Sequence, residues 1–162
     1  MADRRSKVNY YLDIADAAQE RSTCLRRRYG AIIVRDDEIV STGYNGAPRG
    51  RQNCIDLNYC ARQSMNVPAG ERYELCRSVH AEANAIISAA RRDMLGATLY
   101  LVGRDAATGE YNRDTTPCAM CRRLIINAGI KNVVCRVGSG DEDYTDTLVR
   151  DWVYNDDSIK QY

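Results

Sequence analysis

Apolar residues return at helical spacing early in the chain. Leu12, Ile14, Ala15 and Ala18 predict an amphipathic helix from Val8 to Arg21. The pattern then changes to short apolar runs. Ala31-Ile32-Ile33-Val34 and Ile39-Val40-Ser41-Thr42-Gly43 flank Asp36-Asp37, which reads as a β-hairpin. From Asn45 to Val79 the periodicity is lost, and the stretch holds glycine, proline and three cysteines. A loop of that length inside a compact domain is functional or stapled by metal. Small and apolar residues from Ala83 to Ala90 predict a buried helix. Ala97-Thr98-Leu99-Tyr100-Leu101-Val102 predicts a strand. Gly103 to Asp114 reads as a hairpin turning at Thr108-Gly109. Leu124, Ile125, Ile126 and Ala128 belong to a second helix, with Pro117 suited to its first position and Gly129 to its end. Val133-Val134-Cys135 is a further strand, so strand, helix and strand imply a parallel pair with a right-handed crossover. A last strand is expected at Thr145 to Val149, with Trp152 and Val153 packing the tail. The sum is one α/β domain over 1–162, a three-layer α/β/α sandwich with a mixed central sheet.

Composition narrows the function classes. The chain has 162 residues, enough for one domain with a real core, and a formal net charge of +1. That charge gives no strong field to draw a polynucleotide, so a nucleic-acid partner is not expected. No apolar stretch is long enough to span a membrane. Residues 1–5 lack the apolar core of a secretory signal. Seven cysteines is an odd number, which argues against a disulfide framework and for a reducing, cytoplasmic compartment.

The candidate chemistry lies in two short segments, His80-Ala81-Glu82 and Pro117-Cys118-Ala119-Met120-Cys121. His80 is the only histidine, so any mixed nitrogen and sulfur zinc site must use it. Residues i and i+2 share no helix face, so His80 and Glu82 meet one metal only if they open a helix. Cys118 and Cys121 are spaced i, i+3, which puts both sulfurs on one face. Two helix N-termini would then point at one metal, and their positive ends favour thiolates. Three protein ligands leave zinc's fourth position to water, whose pKa falls from roughly 15.7 towards 7. Glu82 is the candidate proton carrier; a purely structural zinc would not need it. A lone Cys-x-x-C could instead be a redox pair or half of a structural site.

These segments, in this order, are the signature of zinc-dependent base deaminases. The chain resembles the cytidine and deoxycytidylate deaminase superfamily, most closely its deoxycytidylate branch. The resemblance runs over Arg21-Ser22-Thr23-Cys24, Gly30 to Val34, Gly43-Tyr44-Asn45-Gly46-Ala47-Pro48, His80 to Ile86, Pro117 to Cys121 and Ile125 to Ile130. It implies a cytidine-deaminase-like fold, with Zn2+ on His80, Cys118 and Cys121 and Glu82 as the catalytic residue. It implies hydrolytic deamination of dCMP to dUMP. It also implies that Asn45 bonds the substrate's sugar, that the backbone of Ala81 holds the pyrimidine edge, and that Asn84 orients the nucleotide. Read from the residues alone, Asn45 has the alternative of an Asn-Gly turn residue.

A phosphate calls for cations. Arg26, Arg27, Arg28, Arg49 and Arg51 are candidates, each otherwise a solvated surface arginine. Tyr111, in the 103–114 hairpin, is either a base-stacking residue at the pocket mouth or a strand residue on a half-exposed ribbon. Cys135 reads as a small buried hydrophobe. Cys24, Cys54, Cys60 and Cys76 are either free thiols or the ligands of a second, structural zinc, which some members of the resembled branch carry. The resemblance further implies a homo-oligomer, a hexamer in many members, and dCTP and dTTP as effectors. The competing classes are a deaminase of another cytosine nucleotide or nucleoside, an enzyme acting on a base in tRNA or single-stranded DNA, and a non-catalytic zinc module.

Overall fold

The computed structural model describes residues 3–155; residues 1–2, where the signal-segment reading begins, and 156–162 lie outside the described residues. In chain order the elements are α1 (Lys7–Gln19), β1 (Arg27–Arg35), β2 (Glu38–Tyr44), α2 (Cys54–Leu57), α3 (Ala61–Ser64), a 3-10 turn (Tyr73–Leu75) and α4 (Ala81–Ile87). They continue with α5 (Arg91–Met94), β3 (Thr98–Asp105), α6 (Ala119–Ala128), β4 (Asn132–Arg136), β5 (Tyr144–Leu148) and α7 (Val149–Tyr154). The sheet order is β2-β1-β3-β4-β5. β3 and β4 pair in parallel, and the other neighbours are antiparallel. The sheet is therefore mixed, as expected.

Strand side chains alternate between faces. Ala31, Ile33, Leu99, Leu101, Val133 and Cys135 pack with Ala81, Ala85, Ile125 and Trp152 from α4, α6 and α7. Ile32, Val34, Tyr100, Val102 and Val134 pack with Tyr11, Leu12 and Ala15 of α1 on the other face. Those two apolar layers around one sheet make the three-layer sandwich. Each fully buried aliphatic side chain contributes about 1.5–3 kcal/mol. The layers approach closely where β1 and β2 carry glycine. A Cβ on Gly30 would sit 2.1 Å from the Ala15 carbonyl oxygen, and one on Gly43 2.3 Å from that of Ala81.

Asp36 and Asp37 both adopt positive φ, 51° and 63°, which closes the β1–β2 hairpin with the twist that tight hairpins require. The 103–114 segment is also a hairpin. Arg104 bridges Tyr111, Asp105 N–H donates to Glu110 O, and Gly109 takes φ 73°. Three expectations move. α6 begins at Ala119 with Cys118 as its N-cap, so Pro117 precedes the cap rather than opening the helix. The last strand ends at Leu148, because Val149 already begins α7. On that short helix Trp152 faces the core while Val153 faces outward, 55% exposed. The irregular 45–79 stretch holds α2, α3 and the 3-10 turn, and its ends are joined by a Gly46–Val79 bridge.

Candidate active site

The site forms where α4 and α6 begin. His80 is the N-cap of α4 and Cys118 the N-cap of α6, with extended backbones at ψ 154° and 166°. An N-cap residue is half inside its helix, so its side chain turns over the helix end. His80 Nδ1 lies 3.5 Å from Cys118 Sγ and 3.4 Å from Cys121 Sγ. Among the described residues, these are the one group of three or more His, Cys, Asp or Glu whose ligand atoms all fall within 4.8 Å of one another. Tetrahedral zinc, with bonds of about 2.05 Å to nitrogen and 2.3 Å to sulfur, would hold such atoms about 3.5 Å apart. The three residues fit that metal in both spacing and donor type.

The electrostatics suit a cation. The Cys118 thiol is brought down to about 4 by a hydrogen bond from Cys121; burial opposes this, and His80 assists. Cys121 is pushed up by the Cys118 thiolate beside it and by burial. The two sulfurs repel a second negative charge, which a bound cation would admit. Burial pushes His80 down, but hydrogen bonds to Cys118 and Cys76 outweigh it and raise it to about 10. Glu82, 5% exposed, is pushed up by burial, though His80 partly offsets this; its carboxyl also hydrogen-bonds Cys121. A carboxyl in that setting takes up and returns a proton more readily than a solvated one. Tyr73 stands edge-on to the His80 ring, with centroids 4.7 Å apart.

The cleft over this group is lined by Arg26, Arg27, Asn45 and Ala81 among the anticipated residues. Asn45 Oδ1 accepts from Tyr29 N–H at 2.8 Å and from Ser22 Oγ at 2.5 Å, and its Nδ2 donates to Arg27 O at 2.9 Å. It therefore ties the end of the hairpin while lining the cleft. Ala81 is fully buried in the first turn of α4, where backbone N–H groups lack intrahelical partners. Arg27 Nη1 donates to both oxygens of Asp114, at 3.1 and 3.2 Å.

Other anticipated residues fall elsewhere. Asn84 donates to Tyr44 O at 2.8 Å, Arg49 is exposed, and neither lines the cleft. Tyr111 packs on the α1 face of the sheet. Its hydroxyl donates to Asp16 Oδ2 at 2.7 Å, and Arg104 stacks on its ring at 3.8 Å. The alternation of the 103–114 ribbon turns it away from the cleft, so it is a strand residue rather than a base platform. Cys24, Cys60 and Cys76 line the cleft, and Cys54 is buried. Burial and the charges of Cys24, Cys76 and Cys60 push the Cys54 thiol up, yet the four sulfurs do not gather to ligand distance. Cys135 is a buried core residue, as anticipated. The cleft also contains Tyr29, Arg62 and Tyr73, which periodicity and motif spacing did not single out.

A mixed sheet that delivers two helix N-termini and a buried carboxyl to one metal-ligating triad is the arrangement of a zinc-dependent nucleobase deaminase. The family model of the cytidine and deoxycytidylate deaminase zinc-binding region matches residues 5–137. A deoxycytidylate deaminase of Mycobacterium phage D29 is 41% identical over 130 residues, covering 77% of this chain and 90% of that protein. The Schizosaccharomyces pombe deoxycytidylate deaminase is 34% identical over 147 residues, which is 91% of this chain but only 42% of the yeast protein. The chain thus spans about two fifths of one relative and nearly all of another. A crystal structure of dCMP deaminase from the cyanophage S-TIM5, in complex with dCMP and dUMP, superposes with a TM-score of 0.53 at 25% identity over 79% of each chain. The chain belongs to the cytidine and deoxycytidylate deaminase family.

Proposed function

We propose that the protein converts dCMP and water to dUMP and ammonia. His80, Cys118 and Cys121 would hold the zinc and Glu82 would carry protons. The observation that carries this reading is the buried Glu82 carboxyl set against the only metal-ligating triad among the described residues. Arginines at the cleft, and relatives named for dCMP, favour a nucleotide over a nucleoside. Zinc bound there supplies Lewis acidity towards water. Glu82 would take the first proton from the attacking water and give it to the ring nitrogen N3, as the oxygen joins C4. It would then pass the second proton to the amine, so that the C4–N bond breaks and ammonia leaves. The Ala81 N–H and the Asn45 side-chain amide would hold the pyrimidine edge and the sugar. Asn84, bonded to the Tyr44 carbonyl, would orient the nucleotide only through the hairpin end.

A second, structural zinc on Cys24, Cys54, Cys60 and Cys76 belongs to the same proposal. It requires those sulfurs to draw together; Cys24, Cys60 and Cys76 lining one cleft, with Cys54 buried, support it. Two zinc ions per chain would bear it out; one zinc with four alkylatable thiols would remove it. Exposed Met120 and Leu124 on α6 and Ile87 on α4 support a homo-oligomer. The resemblance adds a hexamer and regulation by dCTP and dTTP. No helix among the described residues is long and apolar enough to cross a membrane, and unpaired thiols suit a cytoplasmic setting. The test is ammonia release from dCMP, CMP, deoxycytidine, cytidine and cytosine-containing single-stranded DNA. dCMP should be turned over fastest. Equal rates on dCMP and deoxycytidine would defeat the nucleotide reading.

A further inference from the structure

The part of the irregular stretch from α2 to its end, residues 54–79, brings a charged side chain into the cleft. Arg62, on α3, is only 7% exposed and lines the cleft together with Tyr73 and His80. Its Nη2 donates to the carbonyls of Pro68 and Glu71 at 2.7 and 2.9 Å. Its Nε is buried with no partner, and its Nη1 makes no hydrogen bond among the described residues. The guanidinium stacks on the Tyr73 ring at 4.4 Å, and that ring in turn meets His80 edge-on. No carboxylate pairs with Arg62 among the described residues. A buried guanidinium without a directly paired counter-charge is costly.

The other cations of the cleft differ in their pairing. Arg27 is neutralised by Asp114. Arg26 lines the cleft, and its guanidinium has no hydrogen bond or ion pair among the described residues. Glu82, deep at the metal-ligating triad, is the only carboxyl in the lining. The cleft therefore holds two guanidiniums without an ion pair among the described residues, Arg26 just before β1 and Arg62 on α3, although Glu74 and Cys76 feel the charge of Arg62. A dianion with several acceptor oxygens matches them in charge and geometry.

We infer that Arg62, together with Arg26, forms the clamp that reads the 5′-phosphate of the nucleotide. The 54–79 stretch is thereby the element that sets nucleotide against nucleoside preference. This inference rests on the nucleotide reading proposed above. The carbonyls of Pro68 and Glu71 fix the guanidinium plane, and Tyr73 holds it against the imidazole side of the cleft. The phosphate would thus be read from a fixed offset to the ring under attack.

Binding of the product tests this without relying on turnover. Titration calorimetry of the zinc-loaded protein should show dUMP binding at least 10-fold tighter than deoxyuridine. In Arg62→Gln the dUMP affinity should fall about 10–100-fold and the deoxyuridine affinity far less, so that the ratio collapses. Arg26→Gln should narrow the same ratio. Because Arg62 also anchors two carbonyls, Arg62→Lys serves if the glutamine variant does not fold. It keeps the charge but loses the fork, and should retain only part of the preference. A wild-type protein that binds both ligands alike would overturn the nucleotide reading and this inference together. A wild type that discriminates, with Arg62 variants that keep its ratio or weaken both ligands equally, would overturn this inference alone.

Discussion

At the scale of single residues, Glu82 occupies a position where a carboxyl is costly. It is buried in the first turn of α4, against the sulfurs that would hold the metal, and burial dominates its upward shift. Glutamine has the same shape but cannot carry a proton. Glu82→Gln should therefore bind zinc as the wild type does, melt within a few degrees of it, and lose about 10²–10⁴-fold in kcat for dCMP. Zinc analysis and ammonia release on the same preparation check this; unchanged turnover would leave only a structural role for the site. His80, Glu82, Cys118 and Cys121 were legible in the sequence because metal chemistry restricts residue type and spacing together. Arg62, Tyr29 and Tyr73 were not. Their roles arise from contacts made across an aperiodic segment, and an arginine there looks like any surface arginine until its burial is known.

At the scale of elements, the position of the active helix depends on a close approach. α4 lies against β2 at Gly43, where a Cβ would meet Ala81 O at 2.3 Å and Ala85 N at 2.5 Å. Gly43→Ala must push α4 off the sheet. It should cost about 1–3 kcal/mol and lower kcat/KM, since the helix carries His80 and Glu82 at its start. Urea unfolding and dCMP kinetics measure the two effects. On the opposite face, Asp16 of α1 accepts from Arg104 Nε and from the Tyr111 hydroxyl, each at 2.7 Å. Burial raises its carboxyl, but the Arg104 and Tyr111 hydrogen bonds outweigh it and hold the group below the usual range. A depressed folded value means stability that is fully present above the unfolded pKa, about 3.9, and lost as pH falls through the folded one. Asp16→Asn should lose about 2 kcal/mol at pH 7 and then decline less than the wild type as pH falls below about 4, as urea melts at each pH would show. The strands and both hairpins were readable from short apolar runs and the turn residues between them, and the two active helices from small and apolar residues with their end residues. Which face of the 103–114 ribbon Tyr111 would take was not, because a one-residue difference in register reverses it.

At the scale of the whole molecule, the sheet separates two kinds of work. One face packs α1 and the charged Asp16–Arg104–Tyr111 cluster, which anchors the 103–114 hairpin. The other carries α4 and α6, whose N-termini meet at the metal-ligating triad, with the 54–79 stretch alongside. The parallel β3–β4 pair makes this possible, because its crossover helix is α6 and that helix starts beside α4. The layer architecture followed from the order of apolar runs. The path of the 54–79 stretch did not, since it is held by carbonyl-to-arginine bonds and ring contacts rather than by any repeat. All of this serves one metal position. The most direct test is to strip the protein of metal and titrate zinc back while following ammonia release from dCMP. The metal-free protein should be folded but inactive, with turnover restored in proportion to zinc bound at His80, Cys118 and Cys121. A metal-free protein that deaminates dCMP at the full rate would contradict the account.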